Sequence, residues 1–154
     1  AQEAGCVTTW DLVGAGPGTW AFVEPLLPYI DYFIPSIEEA EILSGIKGVE
    51  ENIQFFQSRG VKCPVLTLGA DGSMVAMGDE RIHVGVYDID VVDTTGCGDA
   101  FTAGFIAGLA DDRSLEECAH LGTASASLVA SGLGSDAGIK DRAQVEAEMA
   151  RWRA

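Results

Sequence analysis

The chain has 154 residues, of which 47% are hydrophobic and 21% are charged, and its formal net charge at pH 7 is −15. This length corresponds to one domain that can bury a hydrophobic core, and no apolar run is long enough to span a bilayer. The excess of acidic residues argues against nucleic acid or an anionic membrane surface as a partner.

Short strands and helices alternate over the first part of the chain. Residues 6–12 are apolar and rich in β-type residues, which predicts a strand, and residues 30–34 predict a second one. Between them lie a glycine-rich loop, residues 14–18, and a helical stretch, residues 20–27, that Pro28 stops. The glycine spacing of the loop matches a dinucleotide-binding sequence only weakly, because the third glycine comes one position too early.

Two helices are predicted next. Ser36-Ile-Glu-Glu39 has the pattern of a capping box, in which a Ser begins a helix and a Glu follows three positions later. Residues 50–59 form an amphipathic helix that Gly60 ends. The inward-facing side chains of this second helix are Ile53, Phe55 and Phe56.

A central strand and an antiparallel region follow. Residues 65–68 form a short apolar strand that suits a parallel position inside a sheet. Residues 69–72 form a glycine turn, from which residues 73–77 return as another strand. We expect further strand over residues 81–92, and we interpret His83 as an exposed strand residue with no metal or catalytic role.

The rest of the chain is organised around the segment Asp93-Thr-Thr-Gly-Cys-Gly-Asp99. Strand-type residues 89–92 precede it, and apolar residues recur at helical spacing after it. A glycine turn that leads into a helix directs several N–H groups and the positive end of the helix dipole at one spot. Such a turn suits an anion.

Asp99 lies beside this predicted anion-binding site, and its role has two interpretations. Asp is a favoured N-cap, so Asp99 could simply begin the helix. A carboxylate there could instead be a base that deprotonates a hydroxyl while the neighbouring amides hold the phosphoryl group that the hydroxyl attacks. Composition and spacing leave both interpretations open.

Two further helices are predicted after this segment. Ser114-Leu-Glu-Glu117 is a second capping box, and it opens a helix over residues 115–129 that is rich in Ala, Gly and Ser. Such small residues allow close packing, either of another element of the fold or of a ligand. Residues 132–138 form a loop, and a last helix over residues 141–152 has Val145 and Met149 on its buried side.

The four cysteines are scattered and lack metal-type spacing: Cys6, Cys63, Cys97 and Cys118. We therefore expect free thiols in a reducing compartment rather than disulfides. Residues 1–5 lack the basic and apolar regions of a signal peptide. These features predict a cytoplasmic protein. Because Cys97 falls at a predicted helix N-terminus, we expect its pKa to be lowered.

The longer string Asp-Thr-Thr-Gly-Cys-Gly-Asp-Ala-Phe-x-Ala-Gly-Phe closely resembles the second signature of the ribokinase-like (PfkB) carbohydrate kinases. That signature usually reads Asp-Thr-x-Gly-Ala-Gly-Asp, and here Cys97 stands in place of Ala. The resemblance implies a ribokinase-like α/β fold, with a doubly wound, mainly parallel sheet flanked by helices. It also implies that residues 1–154 are the nucleotide-binding and catalytic C-terminal part, without the N-terminal half that carries the sugar-binding lid.

By the same resemblance, the activity is that of an ATP-dependent kinase acting on a hydroxymethyl group of a sugar or a similar small alcohol. Asp99 is then the catalytic base, and the amides of Gly96, Cys97 and Gly98 form the anion hole. The resemblance also assigns a wider set of residues to the nucleotide: Ser36, Thr67, Gly69, Asp71, Gly72, Gly98 and Thr123. Ser36 replaces the usual Asn, and Thr123 is the residue expected nearest the base.

The resemblance implies Mg²⁺ as a cofactor, with Glu39 organising its water shell. In potassium-dependent relatives, the loop equivalent to residues 132–138 joins Asp93 and the carbonyl of Thr95 around a monovalent cation, so K⁺ is a further expected cofactor. The expected partners are a sugar, ATP and a second copy of the chain in a homodimer. A second hypothesis stays open: a non-catalytic nucleotide-binding or assembly module.

Overall fold

Within residues 1–153, which the computed structural model describes (side chains to residue 151), a five-stranded sheet has the strand order β1-β2-β3-β4-β5. The strands are β1 Thr9–Asp11, β2 Tyr32–Ile34, β3 Cys63–Thr67, β4 Ser73–Met77 and β5 Glu80–Val84. The pairs β1–β2 and β2–β3 are parallel. Only two residues join the neighbouring strands β4 and β5, and so short a connection allows only antiparallel pairing.

Helices account for most of the remaining chain. The α-helices are α1 Thr19–Val23, α2 Ile37–Ser44, α3 Val49–Gln57, α4 Cys97–Ala110, α5 Leu115–Ala130 and α6 Arg142–Arg153. Short 3₁₀ helices cover Gln2–Ala4, Glu24–Tyr29 and Gly69–Asp71. None of the helices in the described residues is both long and apolar enough to cross a membrane. The predicted α/β fold, with a mainly parallel sheet and flanking helices, is confirmed.

The chain divides into two compact units, residues 1–69 with 74–82, and residues 70–73 with 83 onward. In the first unit, β2 and β3 are apolar on both faces, as expected for parallel strands that are covered by other elements. Phe33 of β2 meets Phe56 of α3 edge-on, with ring centroids 4.9 Å apart. Ile53 and Phe56 are fully buried as predicted, whereas Phe55 is half-buried beneath the guanidinium of Arg59.

In the second unit, α4 and α5 pack through glycines. A Cβ added at Gly104 would lie 2.6 Å from the carbonyl oxygen of Leu121, and one added at Gly122 would lie 2.8 Å from the ring of Phe101. The small residues of α5 therefore serve helix packing, one of the two alternatives that the sequence left open. Val145 and Met149 of α6 are buried against the same helix, as predicted.

The strand expected over residues 81–92 is wrong beyond Val84. Residues 85–92 form no strand in the described chain. The amide of Val92 donates to the carbonyl of Ala130 at 2.8 Å. The buried Tyr87 donates its hydroxyl to the carbonyl of His120 at 3.2 Å. The segment is thus held by α5 rather than by a neighbouring strand.

The helix expected over residues 20–27 is also shorter than predicted. α1 ends at Val23, and the chain continues as the 3₁₀ helix Glu24–Tyr29, which contains Pro28 instead of ending before it. Proline cannot donate the backbone hydrogen bond that an α-helix needs, whereas a short 3₁₀ turn tolerates its loss.

Candidate functional site

In the first unit, the carboxyl ends of the parallel strands gather three of the predicted site residues. Ser36, just after β2, forms an isolated parallel bridge with Thr67 at the end of β3. The amide of Thr67 donates to the carbonyl of Pro35 at 3.1 Å. Ser36 is also the N-cap of α2, and Glu39 occupies the third position of that helix. The carboxyl ends of parallel strands are where α/β proteins bind ligands.

The capping box predicted at Ser36 is confirmed, and Glu39 makes one contact more than the box requires. Its amide donates to Ser36 Oγ at 3.2 Å, and its Oε2 accepts from the Ser36 amide at 2.8 Å. Its Oε1 accepts from the amide of Gly14, beyond the end of β1, at 2.7 Å. Each carboxylate oxygen has a further lone pair for a water molecule, so Glu39 fits an outer-shell role at Mg²⁺.

Gly69, Asp71 and Gly72 form the turn after β3. A hydrogen bond from His83 fixes the second half of this turn. Nε2–H of His83, in β5, donates to the carbonyl of Asp71 at 2.8 Å. Gly72 has φ of +89°, and a Cβ there would lie 2.7 Å from the Cα of Gly85.

His83 is exposed, as predicted, and its contact with Asp71 was not predicted. The available signal was the hairpin register, since counting outward from the two-residue turn between β4 and β5 places His83 near the start of β4.

In the second unit, the glycine turn leads into α4 as predicted, but Asp99 does not begin the helix. Gly96 is the N-cap, with φ of +81°, and Asp99 is the third helical residue, exposed in the first turn. The interpretation of Asp99 as the N-cap is therefore wrong. The first N–H groups of a helix have no intrahelical acceptor. Of the three amides expected in the anion hole, that of Cys97 donates to the carbonyl of Thr94 at 3.2 Å.

The lowered pKa expected for Cys97 is wrong. Burial raises the pKa of the Cys97 thiol, and the negative charge of Asp93 adds to that rise. Sγ donates to the carbonyl of Ala126, 3.6 Å away. The thiol turns toward α5 instead of toward solvent, and the resulting loss of hydration disfavours its charged form.

Asp93 and the loop of residues 132–138 lie together, as the sequence predicted. Oδ1 of Asp93 accepts from the amide of Thr95 at 2.9 Å, and Oδ2 accepts from the amide of Gly134 at 3.1 Å. The bonds from Thr95, followed by the bond from Gly134, lower the pKa of Asp93. An ionised carboxylate is an oxygen ligand, so Asp93 fits a monovalent cation site in its chemistry. Thr123, in contrast, is only 5% exposed within α5.

Comparison with known proteins identifies the family. The sequence profile of the pfkB family carbohydrate kinases matches residues 19–142. The chain belongs to this family. It is 38% identical over 103 residues to the ATP-dependent 6-phosphofructokinase of Thermoanaerobacterium thermosaccharolyticum, a match that covers 67% of this chain and 32% of the relative. It is 33% identical over 125 residues to the ribokinase of Staphylococcus aureus, covering 77% of this chain and 41% of the relative.

Solved structures confirm that this pfkB family chain has the ribokinase-like fold. The ribokinase of Thermotoga maritima superposes with a TM-score of 0.84 at 29% identity, over 94% of this chain and 49% of the other. The Arabidopsis thaliana ribokinase complexed with ribose and ATP gives 0.86 at 30% identity, over 96% and 48%. The chain thus spans about half the length of these neighbours.

Proposed function

We propose that the chain carries the phosphoryl-transfer part of an ATP-dependent carbohydrate kinase. The observation that carries this proposal is the start of α4, where the glycine turn ending at Gly96 precedes an exposed carboxylate, Asp99, in the first helical turn. Family membership supplies the reaction class, and the relatives of the chain include a protein named ribokinase.

The proposed chemistry divides two tasks between backbone and side chain. Asp99 accepts the proton of the substrate hydroxymethyl group, so that the oxygen attacks the terminal phosphate of ATP. The amides of Gly96, Cys97 and Gly98 donate to the phosphoryl oxygens as their negative charge is redistributed. The Cys97 amide bonds to the carbonyl of Thr94 at 3.2 Å within the turn, and in the proposed reaction it exchanges this acceptor for a phosphoryl oxygen.

The remaining predicted residues take binding roles in this proposal. Ser36, Thr67 and the turn of Gly69, Asp71 and Gly72 face the nucleotide, and Thr123 lies nearest the base. Glu39 binds water molecules of the Mg²⁺ hydration shell, and Mg²⁺, when bound, would neutralise the charge of the phosphates. Asp93 and Thr95 hold a monovalent cation such as K⁺. We propose a cytoplasmic location, consistent with four free cysteines, and homodimer formation stays a prediction.

A second candidate is a non-catalytic nucleotide-binding or assembly module. The chain spans about half of the length of the ribokinase structures. In this candidate it binds ATP, or only assembles, without turning over a sugar by itself. The two candidates differ in turnover.

The experiment that separates them begins with calorimetric binding of ATP and Mg²⁺ to the chain, followed by ADP release with a panel of sugars. Turnover supports the kinase, and binding without turnover supports the nucleotide-binding module. Absence of binding contradicts the kinase and leaves only an assembly role for the second candidate. For the kinase, Asp99→Asn is expected to lower kcat by about a hundredfold or more and to leave ATP affinity unchanged. Glu116→Gln, which removes an exposed carboxylate from the first turn of α5, is the matched control. Equal loss of binding and turnover in Asp99→Asn would contradict the assignment of Asp99 as base.

A further inference from the structure

The carboxylate of Glu39 is shared between segments that follow two different strands. Oε2 accepts from the amide of Ser36, after β2, and Oε1 accepts from the amide of Gly14, after β1. β1 and β2 pair in parallel, with Asp11 opposite Ile34. One side chain therefore links the two chain segments that leave the same edge of the sheet.

Helix capping does not explain the contact with Gly14. The capping box is complete with Ser36 Oγ, Ser36 N, Glu39 N and Oε2. Oε1 instead reaches an amide 25 positions away in the sequence. Both bonds are charge-assisted and of ordinary length, which makes them stronger than bonds between neutral groups.

Besides the bond to Glu39, the loop of residues 14–18 contacts the core of the first unit through the partly buried Ala15. Gly14 and Gly18 have φ of +87° and +88°, and neighbouring Val13 is fully exposed. Glycines raise the number of conformations open to a segment. The amide of Gly16 bonds to Thr19 Oγ1 at 3.0 Å, but this contact is local to the start of α1. Glu39 supplies the bond from the loop to α2, which begins after β2.

We propose that Glu39 is a positioning residue: its carboxylate holds the loop of residues 14–18 against the start of α2 and couples the order of that loop to binding of Mg²⁺–nucleotide. The coupling rests on the proposed function. A carboxylate has about four lone-pair positions, of which the two backbone amides use two, so the same group holds the loop and a water of the metal shell together. Binding of Mg²⁺–nucleotide then increases the order of the loop, and an ordered loop strengthens binding of Mg²⁺–nucleotide by the same free energy.

The holding contact is tested without nucleotide, by NMR hydrogen exchange of the Gly14 amide in the ¹⁵N-labelled chain. Glu39→Gln keeps the shape of the side chain, but its amide group has one oxygen and so accepts from only one of the two N–H groups. The Gly14 amide is expected to exchange about tenfold faster or more, as for loss of a bond to a charged group. Glu38→Gln removes the neighbouring exposed carboxylate and is expected to match the wild type.

Ser36→Ala is the complementary variant, because it removes the hydroxyl that caps α2 and leaves the Glu39 carboxylate in place. It is expected to lower the stability of α2 while the Gly14 amide stays more protected than in Glu39→Gln. Equal exchange at Gly14 in the wild type and in Glu39→Gln overturns the proposal. Equal acceleration in Glu38→Gln and Glu39→Gln overturns it as well, since charge alone would then explain the change.

The coupling is tested by adding ATP and Mg²⁺ to the same samples, after calorimetry has established binding. Exchange at Gly14 is expected to slow in the wild type and in Glu38→Gln, and to respond less in Glu39→Gln. Binding without slowing at Gly14 overturns the coupling and leaves the proposed function standing. Absence of binding overturns the proposed function and the coupling together, and exchange without nucleotide still decides whether Glu39 holds the loop.

Discussion

The backbone at Gly96 leaves no room for a side chain. A Cβ built there would lie 2.7 Å from the Cα and 2.8 Å from the Cβ of Ser135, and φ is +81°. The glycine turn before α4 and the loop of residues 132–138 are therefore packed against each other through backbone. Gly96 is required by this contact and by its left-handed conformation, independently of any role in binding an anion.

Gly96→Ala is expected to lower the free energy of unfolding by about 2–5 kcal/mol, the sum of left-handed strain and overpacking. Gly134→Ala is the matched control, because Gly134 has φ of +103° and nothing within 4 Å of its Cβ position. The Gly134→Ala variant is expected to lose about 1–2 kcal/mol of unfolding free energy, from conformational strain alone. Urea unfolding of both variants measures the difference. Equal losses would show that the contact with Ser135 adds nothing.

At the scale of elements, the pair α4 and α5 is built on close approach of two helices. Gly104 faces the backbone of Leu121 and Gly122 and the hydroxyl of Ser125. Glycine is a poor helix former, so its presence in the middle of α4 costs about 1 kcal/mol relative to Ala. The close packing across the helix pair offsets that cost.

Gly104→Ala is accordingly expected to destabilise the chain, although the substitution improves helix propensity. The added methyl would lie 2.6 Å from the Leu121 carbonyl oxygen and the Ser125 Oγ, and overpacking of this kind costs about 1–3 kcal/mol or more. Ala103→Gly is the control at the adjacent, exposed position, with an expected loss of about 1 kcal/mol from propensity alone. Stabilisation by Gly104→Ala in urea unfolding would mean that the helices separate without cost.

Local sequence patterns predicted some elements well and others poorly, for a physical reason. The capping boxes at Ser36 and Ser114 were predictable because both partners of each bond lie within one helical turn. The loss of strand structure before Asp93 was not predictable, because Val92 bonds through its amide to Ala130, far along the chain. Periodicity describes which residues are apolar and carries no information on distant acceptors.

The candidate site divides in the same way. The glycine turn before α4 followed from the residues themselves, and the pairing of Asp93 with the loop of residues 132–138 followed from the family resemblance. The contact of Glu39 with Gly14 joins residues 25 positions apart, and no motif includes both. The raised pKa of Cys97 depends on burial against α5, which the position of a residue at a helix start does not reveal.

At the scale of the whole molecule, acidic charge governs the response to pH. The net charge is −15, and hydrogen bonds and ion pairs lower the pKa of a set of carboxylates in the described chain: Asp31, Glu41, Glu50, Asp93, Asp111 and Glu146. A carboxylate with a lowered pKa stabilises the fold above its unfolded pKa, and this contribution is lost as the pH falls. Repulsion among the acidic groups acts in the opposite direction, because protonation relieves it.

Glu50 offers the clearest test of the first effect, because it ties α3 to β5 through one arginine. Arg81 donates to both carboxylate oxygens at 2.8 Å, and with the bond from Gln54 it lowers the pKa of Glu50 from 4.5 to about 2. The stabilisation is complete above pH 4.5 and is lost between pH 4.5 and about 2. Since the pair is partly exposed, its size is below about 1 kcal/mol.

Glu50→Gln is therefore expected to flatten the fall of the unfolding free energy between pH 4.5 and 2, measured by urea unfolding at each pH in constant salt. Glu51→Gln removes the adjacent exposed carboxylate and the same unit of charge while Glu50 and Arg81 stay paired, and it is expected to keep the wild-type slope. An equal slope in all three proteins would mean that Arg81 gives Glu50 no pH-dependent stabilisation. A slope flattened equally by both variants would assign the pH dependence to the net acidic charge, because the two variants share only that change.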